Sequence, residues 1–554
     1  MTIFTPTGTL NISADATELP DDALTRSKNV SLDRPGIALT RPGSSRSTNK
    51  LESPANFQIE QGGDRYAFAG TGIYQNELNI KSGLTEADWS AYKYNAFNET
   101  TERVFALNGT DRKRISGTEV HEWGIDAPTS APVLAVGSGT GLTGDYNAKY
   151  TYLRKDGATV VYESNPSAAA SAATTLSNED LSVTWTASSD PQVTHVRIYR
   201  TLPGGSVYFV DQDISVGTVQ VDTSTTDASL GTEVATNHNR PPLGTVVAGP
   251  FYGGVSFILK DNLLYYSLSK QPEYWPTTNF IEIGPPQFPG KAIVEFGGQP
   301  YVLTEDRIWF IQGTGGGLFN PIPIASLAGA SNQFGARSID GDGIYHVGRD
   351  GVYRYSAGKD MKVTGGVFDP IFPSADKFGV KTNGMAAVVN ISTTWLHQFE
   401  NRLYFHWGNG SVLVTNLDTK RTTYYEWDER MTAPMTDKTN SRFYVGDASK
   451  YTRQVEDSSQ TTDAGTGIDC EVESKEFTLP THAHFPRWVK YDADISGASS
   501  PVGKLILDGA VHQSHTLSGN RKTRRRLVEV GNGERAGVRI GWTGDGAVYT
   551  AEFE

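Results

Sequence analysis

Cysteine is almost missing: Cys470 stands alone among 554 residues, so no intramolecular disulfide framework and no cysteine-rich zinc site can form. No run of 18 apolar residues occurs, which leaves no candidate for a membrane-spanning helix. The opening stretch, Met1 to Pro20, has neither a basic region nor a long apolar run, so no secretory signal is expected there. Together these absences predict a soluble chain that folds in reducing surroundings. Positive charge is in deficit as well. Lys and Arg number 49 against 62 Asp and Glu, a formal charge of −13, which argues against a tight, static binder of duplex DNA. Neither a G-x-S-x-G nucleophile elbow nor a G-x-x-x-x-G-K-[ST] phosphate loop occurs.

Long stretches with 3.6-residue periodicity are scarce too. What the chain has instead is turn formers and flat side chains. Gly 58 and Pro 27 make about 15% of the residues against a usual ~12%, and Tyr 25, Phe 23 and Trp 10 suit a pleated surface. Short apolar–aromatic runs recur, each followed by a tight turn. They begin near Tyr66, Val104, Leu264, Tyr301, Ile344, Leu403 and Phe443. Most steps lie near ~40 residues, as in blade-type repeats. The step from Val104 to Leu264 is far longer, and removing a module at 128–242 restores the period. The expected fold is therefore all-β: an interrupted β-propeller of six or seven blades, with a stack of β-sandwiches as the alternative.

The interrupting module opens after the Pro-rich hinge Ala127–Pro132 and closes at Asn239–Pro242. Its Glu163–Ser167 turn, Trp185 and Val196–Arg200 strand resemble a fibronectin type III domain, a β-sandwich of ~100 residues that usually binds or spaces. The expected organisation is an extended N-terminal docking arm (1–55), a first propeller segment (56–127), the inserted domain (128–242), a second propeller segment (243–460), and a C-terminal β-sandwich or propeller-closing strands (461–554).

Chemical constellations are weak. Gly139–Gly144 matches G-x-G-x-x-G but follows a Pro-rich hinge and precedes a β-pattern, so a flexible loop is the better account. His482 and His484 could hold a metal with Asp492, yet no third ligand stands at a defined spacing, and surface histidines are favoured. Asp340–Gly343 lacks the ligand series of a calcium loop, and Ser338–Asp342 only approaches a sialidase-type turn. Carboxylate pairs of the kind propeller glycosidases use cannot be matched up from sequence. No catalytic residue, metal or cofactor is called. Five cations in six residues, Arg521, Lys522, Arg524, Arg525 and Arg526, read first as a subunit or partner interface, then as solvated surface, and last as a DNA contact.

Leu19-Pro20 leads through Asn29-Val30-Ser31-Leu32 and Gly36 to Arg41-Pro42-Gly43. Trp123–Pro128 follows, and then Leu264–Ser267 with Glu273-Tyr274-Trp275-Pro276. In this order the elements resemble nozzle proteins (tail tubular protein B, or tail hub) of short-tailed bacteriophages. The inserted domain departs from the simplest members. The resemblance implies a virion structural protein at the tail tip, made in the host cytoplasm. It also implies a homo-hexameric ring below the adaptor ring of the portal complex, beside tail fibres or spikes, conducting genomic DNA toward the host surface. Pro20, Pro35 and Pro42 limit regular structure in the arm, so Asn29, Leu32, Ile37, Leu39, Arg41 and Pro42 are expected to dock on the adaptor, with Ile37 and Leu39 as anchors for strand addition. The competing expectation is a carbohydrate-binding or glycoside-hydrolase-like propeller with an accessory domain. A tail-fibre adhesin would call for trimerising repeats, which the sequence does not show.

Overall fold

The computed structural model describes residues 2–95, 99, 101–314, 317–373, 382–479, 488–495, 497–517, 523–526 and 533–553. Helix is confined to three short 3-10 turns among these residues, and strands dominate. Among the described residues seven four-stranded antiparallel arrays follow one another along the chain, and the first six are simple up-and-down meanders. The first runs Phe57–Gln61, Asp64–Ala69, Gly72–Gln75, Leu78–Lys81, and the second spans Ser90–Tyr94 to Glu119–Glu122. The third spans Val246–Phe251 to Phe280–Glu282, the fourth Gly290–Phe296 to Phe319–Pro323, and the fifth Ala336–Ile339 to Lys359–Lys362. The sixth, Trp395–Phe399 to Thr422–Glu426, is one end of a larger sheet. The seventh has three consecutive strands, Met431–Asp437, Arg442–Asp447 and Tyr451–Asp457, and takes its fourth, Gly43–Lys50, from near the chain start.

Local chemistry sets these meanders. Gly62 and Gly63, both at positive φ, close the first hairpin in the conformation that matches strand twist. Burial then falls from the inner strands outward. Gly343–Gly348 is buried throughout, whereas its outermost neighbour Lys359–Lys362 alternates between exposed and half-buried. Six of the seven anticipated aromatic runs are second strands of their sheets. The seventh, Leu263–Tyr266, is a third strand, because the second strand Val255–Lys260 is apolar on both faces and shows no alternation.

The chain divides into two compact units: residues 1–86, 291–310 and 322–554, and residues 87–290 and 311–321. In the first unit, the leading strands of the fifth, sixth, seventh and first sheets lie side by side in that order, so the last sheet adjoins the first. In the second unit, the leading strands of the second and third sheets are neighbours although about 150 residues separate them, and Ser90 Oγ accepts a hydrogen bond from the Val247 amide at 3.0 Å.

Between those two sheets the chain builds a separate two-layer β body. One layer is Val133–Val136, Leu181–Thr184 and Gln220–Thr223; the other is Thr159–Glu163, Ala148–Asp156, His195–Thr201 and Tyr208–Ser215. Tyr146, Tyr150, Leu181, Val183, Trp185 and Ile198 fill the space between the layers. Gly139–Gly144 leads into the strand Leu142–Tyr146 and another strand follows, so no helix N-terminus is present to hold a pyrophosphate.

The N-terminal segment differs most from expectation. It is not an extended docking arm but part of three sheets. Leu24–Lys28 lies between Thr422–Glu426, parallel, and Asp469–Ser474, antiparallel. Thr2–Phe4 and Ala38–Thr40 both pair with the last strand, Ala547–Phe553, and Gly43–Lys50 completes the seventh sheet and also meets the short strand Thr462–Asp463. Phe4, Leu24, Val30, Leu32 and Ala38 share one core with Cys470, Val489, Leu505, Ile540 and Trp542, so both ends of the chain build the C-terminal β body together. The prolines sit where these short strands join, and partners distant in the chain, from Val367 to Gly546, supply hydrogen bonds.

Candidate functional site

Asn29, Leu32 and Arg41, expected on a docking surface, are 3%, 3% and 2% exposed. They are the knot that ties the N-terminal segment down. Asn29 takes a left-handed backbone conformation, φ 54°. Its amide oxygen accepts from Arg41 Nε at 2.9 Å and from the Glu426 amide at 2.7 Å, and its Nδ2 donates to the Asp469 carbonyl at 2.8 Å. The Arg41 guanidinium grips Asp463 through both terminal nitrogens, and reaches the carbonyls of Pro42 at 3.1 Å and Glu426 at 3.2 Å. All five of its donors are engaged. Burial alone would lower this guanidinium's pKa, but Asp463 raises it, so it stays charged. Beside it, Arg402 bridges Asp33 and the sealed Glu456. Burial works against the Asp33 charge, yet Arg402, Asn416 and Ser31 hold it below the usual carboxylate range; burial wins at Glu456 and pushes it up. Burial also pushes the Cys470 thiol to about 12, which leaves it unreactive.

Ile37, Leu39 and Pro42 are half-buried, and only Arg34 and Pro35, at the tip of the turn, are well exposed. Leu39 already pairs with Ala547, so strand addition there is taken. Of the basic run, Arg521 and Lys522 lie outside the described residues, as do His482 and His484. Arg524 and Arg525 lie on Thr523–Arg526, which is hydrogen-bonded to Trp488–Asp494 and ends its sheet. Arg525 is exposed and donates to the Thr516 carbonyl at 2.9 Å.

A second charged cluster, invisible to sequence reading, fixes the inserted body. Glu273 is buried against Arg154, and its Oε2 accepts from the Gly124 amide at 3.1 Å. Arg154 also donates to Gln192 at 2.8 Å, and Glu99 lies 3.6 Å from both Arg154 and Arg114. Trp123 Nε1 donates to the Pro272 carbonyl at 3.0 Å and its ring meets Trp275 edge-on at 5.9 Å. Burial would raise Glu273, but Arg154 and Arg114 hold it down; burial and the neighbouring Glu273 push Glu99 up. Two carboxylates with divergent pKa values can mark acid–base chemistry. Here both side chains are 6% exposed and committed to arginines, the arrangement of a mount. The segments Trp123–Pro128 and Glu273–Pro276 thus meet around Arg154 and Gln192 of the inserted body.

His346, 0% exposed, is held between the Gly329 carbonyl at 2.8 Å and Asp360 at 3.0 Å, and serves packing. Asp340–Gly343 is a hairpin turn whose Asp342 pairs with Arg354 at 2.8 Å. No group of three or more metal-ligating side chains occurs among the described residues.

No family model matches the chain, and no curated protein matches it. Among solved structures it is similar to the computationally designed Ika8 protein, with a TM-score of 0.32, 10% identity, and coverage of 74% of this chain and 99% of that one. It is also similar to BamB from Moraxella catarrhalis, with a TM-score of 0.34, 10% identity, and coverage of 75% and 99%. Likenesses this loose carry no functional argument.

Proposed function

We propose that this chain is a structural subunit of a phage tail nozzle. Six copies form a ring below the adaptor and portal, and the ring retains and then releases genomic DNA. In this reading the seven arrays are the blades of one β-propeller, and the inserted body is a fibronectin type III-like domain standing between the second and third blades. The observation that carries the proposal is the seventh sheet, whose fourth strand comes from the N-terminal segment. Such a splice is how a propeller closes, and it leaves few free strand edges. A wall that bears the pressure of packaged DNA needs that closure. The residues behind the nozzle resemblance (Asn29, Arg41, Trp123, Glu273, Trp275) are buried in the two knots that hold the architecture, which favours a shared scaffold over a chance surface match. A formal charge of −13 suits a conduit from which phosphate is repelled and along which DNA slides.

With Asn29, Leu32 and Arg41 committed inside, adaptor docking passes to the turn at Arg34-Pro35 and to Ile37, Leu39 and Pro42 around it. Arg525, exposed on the strand that ends its sheet, faces an adjoining subunit. Negative-stain microscopy of the purified protein and of tailed particles tests this: six-fold rings at the tail tip are expected. Monomers together with saturable binding on a glycan array would establish the carbohydrate-binding alternative instead.

A further inference from the structure

One face of the sheet that joins Thr422–Glu426, Leu24–Lys28, Asp469–Ser474, Arg535–Gly544 and Ala498–Leu507 forms a groove of about 410 Å³, within the ~300–1,000 Å³ typical of ligand sites. The pairing register orders its charges in rows. At one end Arg26 and Lys504 line the groove, level with Glu473 and Arg539 just outside its lining, three cations to one acid in that row. In the middle Lys28 and Glu471 stand level, beside Gly541 and Val502, but Lys28 pairs toward the acidic end and Glu471 toward the basic end. Glu426 and Asp469 occupy the other end with no cation in their row; both draw on Lys28, at 2.5 and 3.2 Å. The acidic and basic rows stand four residues apart along Asp469–Ser474, about 13 Å at ~3.3 Å per residue.

At the basic end, Arg26 and Arg539 both lean on Glu471, at 3.2 and 3.6 Å, and on Glu473. Lys504 has no hydrogen-bond or ion-pair partner among the described residues and faces Arg539 directly. Like charges placed opposite each other across strands destabilise a sheet, so with Glu471 and Glu473 taken up by the two arginines this end carries one cation in excess, Lys504. The floor is open because Gly541 has no side chain, and a Cβ built there meets only the Cys470 carbonyl oxygen, at 3.6 Å.

We infer that this groove binds an extended segment of a partner protein that carries an acidic side chain over Lys504 and Arg539 and a basic one, four residues away, over Glu426 and Asp469. An even spacing puts both side chains on one face of an extended chain, and a 13 Å separation exceeds that of a single amino acid's own charges. The inference stands apart from the nozzle proposal, since it concerns local charge order alone.

Fluorescence anisotropy of the full chain with a labelled, end-blocked peptide Glu-Ser-Gly-Ser-Lys tests it. Saturable binding is expected, at least tenfold tighter than for Lys-Ser-Gly-Ser-Lys or Glu-Ser-Gly-Ser-Glu. Gly541→Val fills the floor and should abolish binding while leaving the melting temperature unchanged. Lys504→Glu, a surface change, should weaken binding at least tenfold. Equal binding of the three peptides, no saturable binding to the unaltered chain, or undiminished binding by the soluble Lys504→Glu protein would overturn the inference.

Discussion

Replacing Arg41 by Ala removes a guanidinium with all five donors engaged and leaves Asp463, whose side chain is 7% exposed, with Ser44 Oγ at 2.9 Å as its remaining side-chain donor. Breaking a buried pair by removing one partner costs ~3–5 kcal/mol, because a charge is stranded away from water. Three further acceptors, the Asn29 side chain and the carbonyls of Pro42 and Glu426, lose a donor with it. The loss should fall on the strands the knot secures. Amide exchange in Leu24–Lys28 and Gly43–Lys50 should accelerate by two to three orders of magnitude, ~1.4 kcal/mol being a tenfold change, while the inserted body stays protected. Arg41→Lys keeps the charge but offers three donors and no fork, so it should fall between the two. Asp463→Ala alone should be nearly as damaging, and a double-mutant cycle should return a coupling of ~1–3 kcal/mol. Singles that cost under ~1 kcal/mol and add in the double variant would refute the knot as the device that holds the N-terminal segment.

Burial pushes His406 down to about 3, with Arg430 adding to the effect. Against an unfolded value of ~6.5, the neutral ring contributes stability that is complete above pH 6.5 and lost as pH falls toward 3, at ~1.4 kcal/mol per pH unit. His406→Phe keeps a flat ring against Trp395, 4.9 Å away, and should flatten the melting-temperature profile between pH 6 and 4; an unchanged slope would refute this. Glu273→Gln should cost ~3 kcal/mol by leaving Arg154 and Arg114 short of counter-charge, and limited proteolysis should then cut near the hinge residues Ala127–Pro132; an unchanged digestion pattern would refute the mount. Deleting residues 1–45 removes the strand between two others and some of the C-terminal core, so the product should be insoluble; folded, monodisperse protein would show that the segment is dispensable.

Much of the repeat was legible because its signals are local. Gly62-Gly63 and Asn76-Glu77 declare tight turns within two residues, and aromatic alternation between them declares strands. Where both faces of a strand are buried, as at Val255–Lys260, the alternation disappears and the anticipated run falls on the next strand of the sheet, Leu263–Tyr266. The N-terminal segment misleads for a different reason. Its prolines and isolated apolar residues fit an arm as well as a set of short inserted strands, and what decides between them is Asp463, 422 residues from Arg41. The Glu273–Arg154–Glu99 mount is equally hidden, since no spacing rule relates ion-pair partners brought together by a sheet.

The strand Gly43–Lys50 is synthesised long before Tyr451–Asp457, the neighbour it pairs with. At a ribosomal pace of ~5–20 residues per second, an interval of about 400 residues leaves it waiting roughly 20–80 s without the strand it pairs with. During that interval nascent copies on one messenger can zip to one another, and early association with a chaperone would favour the correct partner.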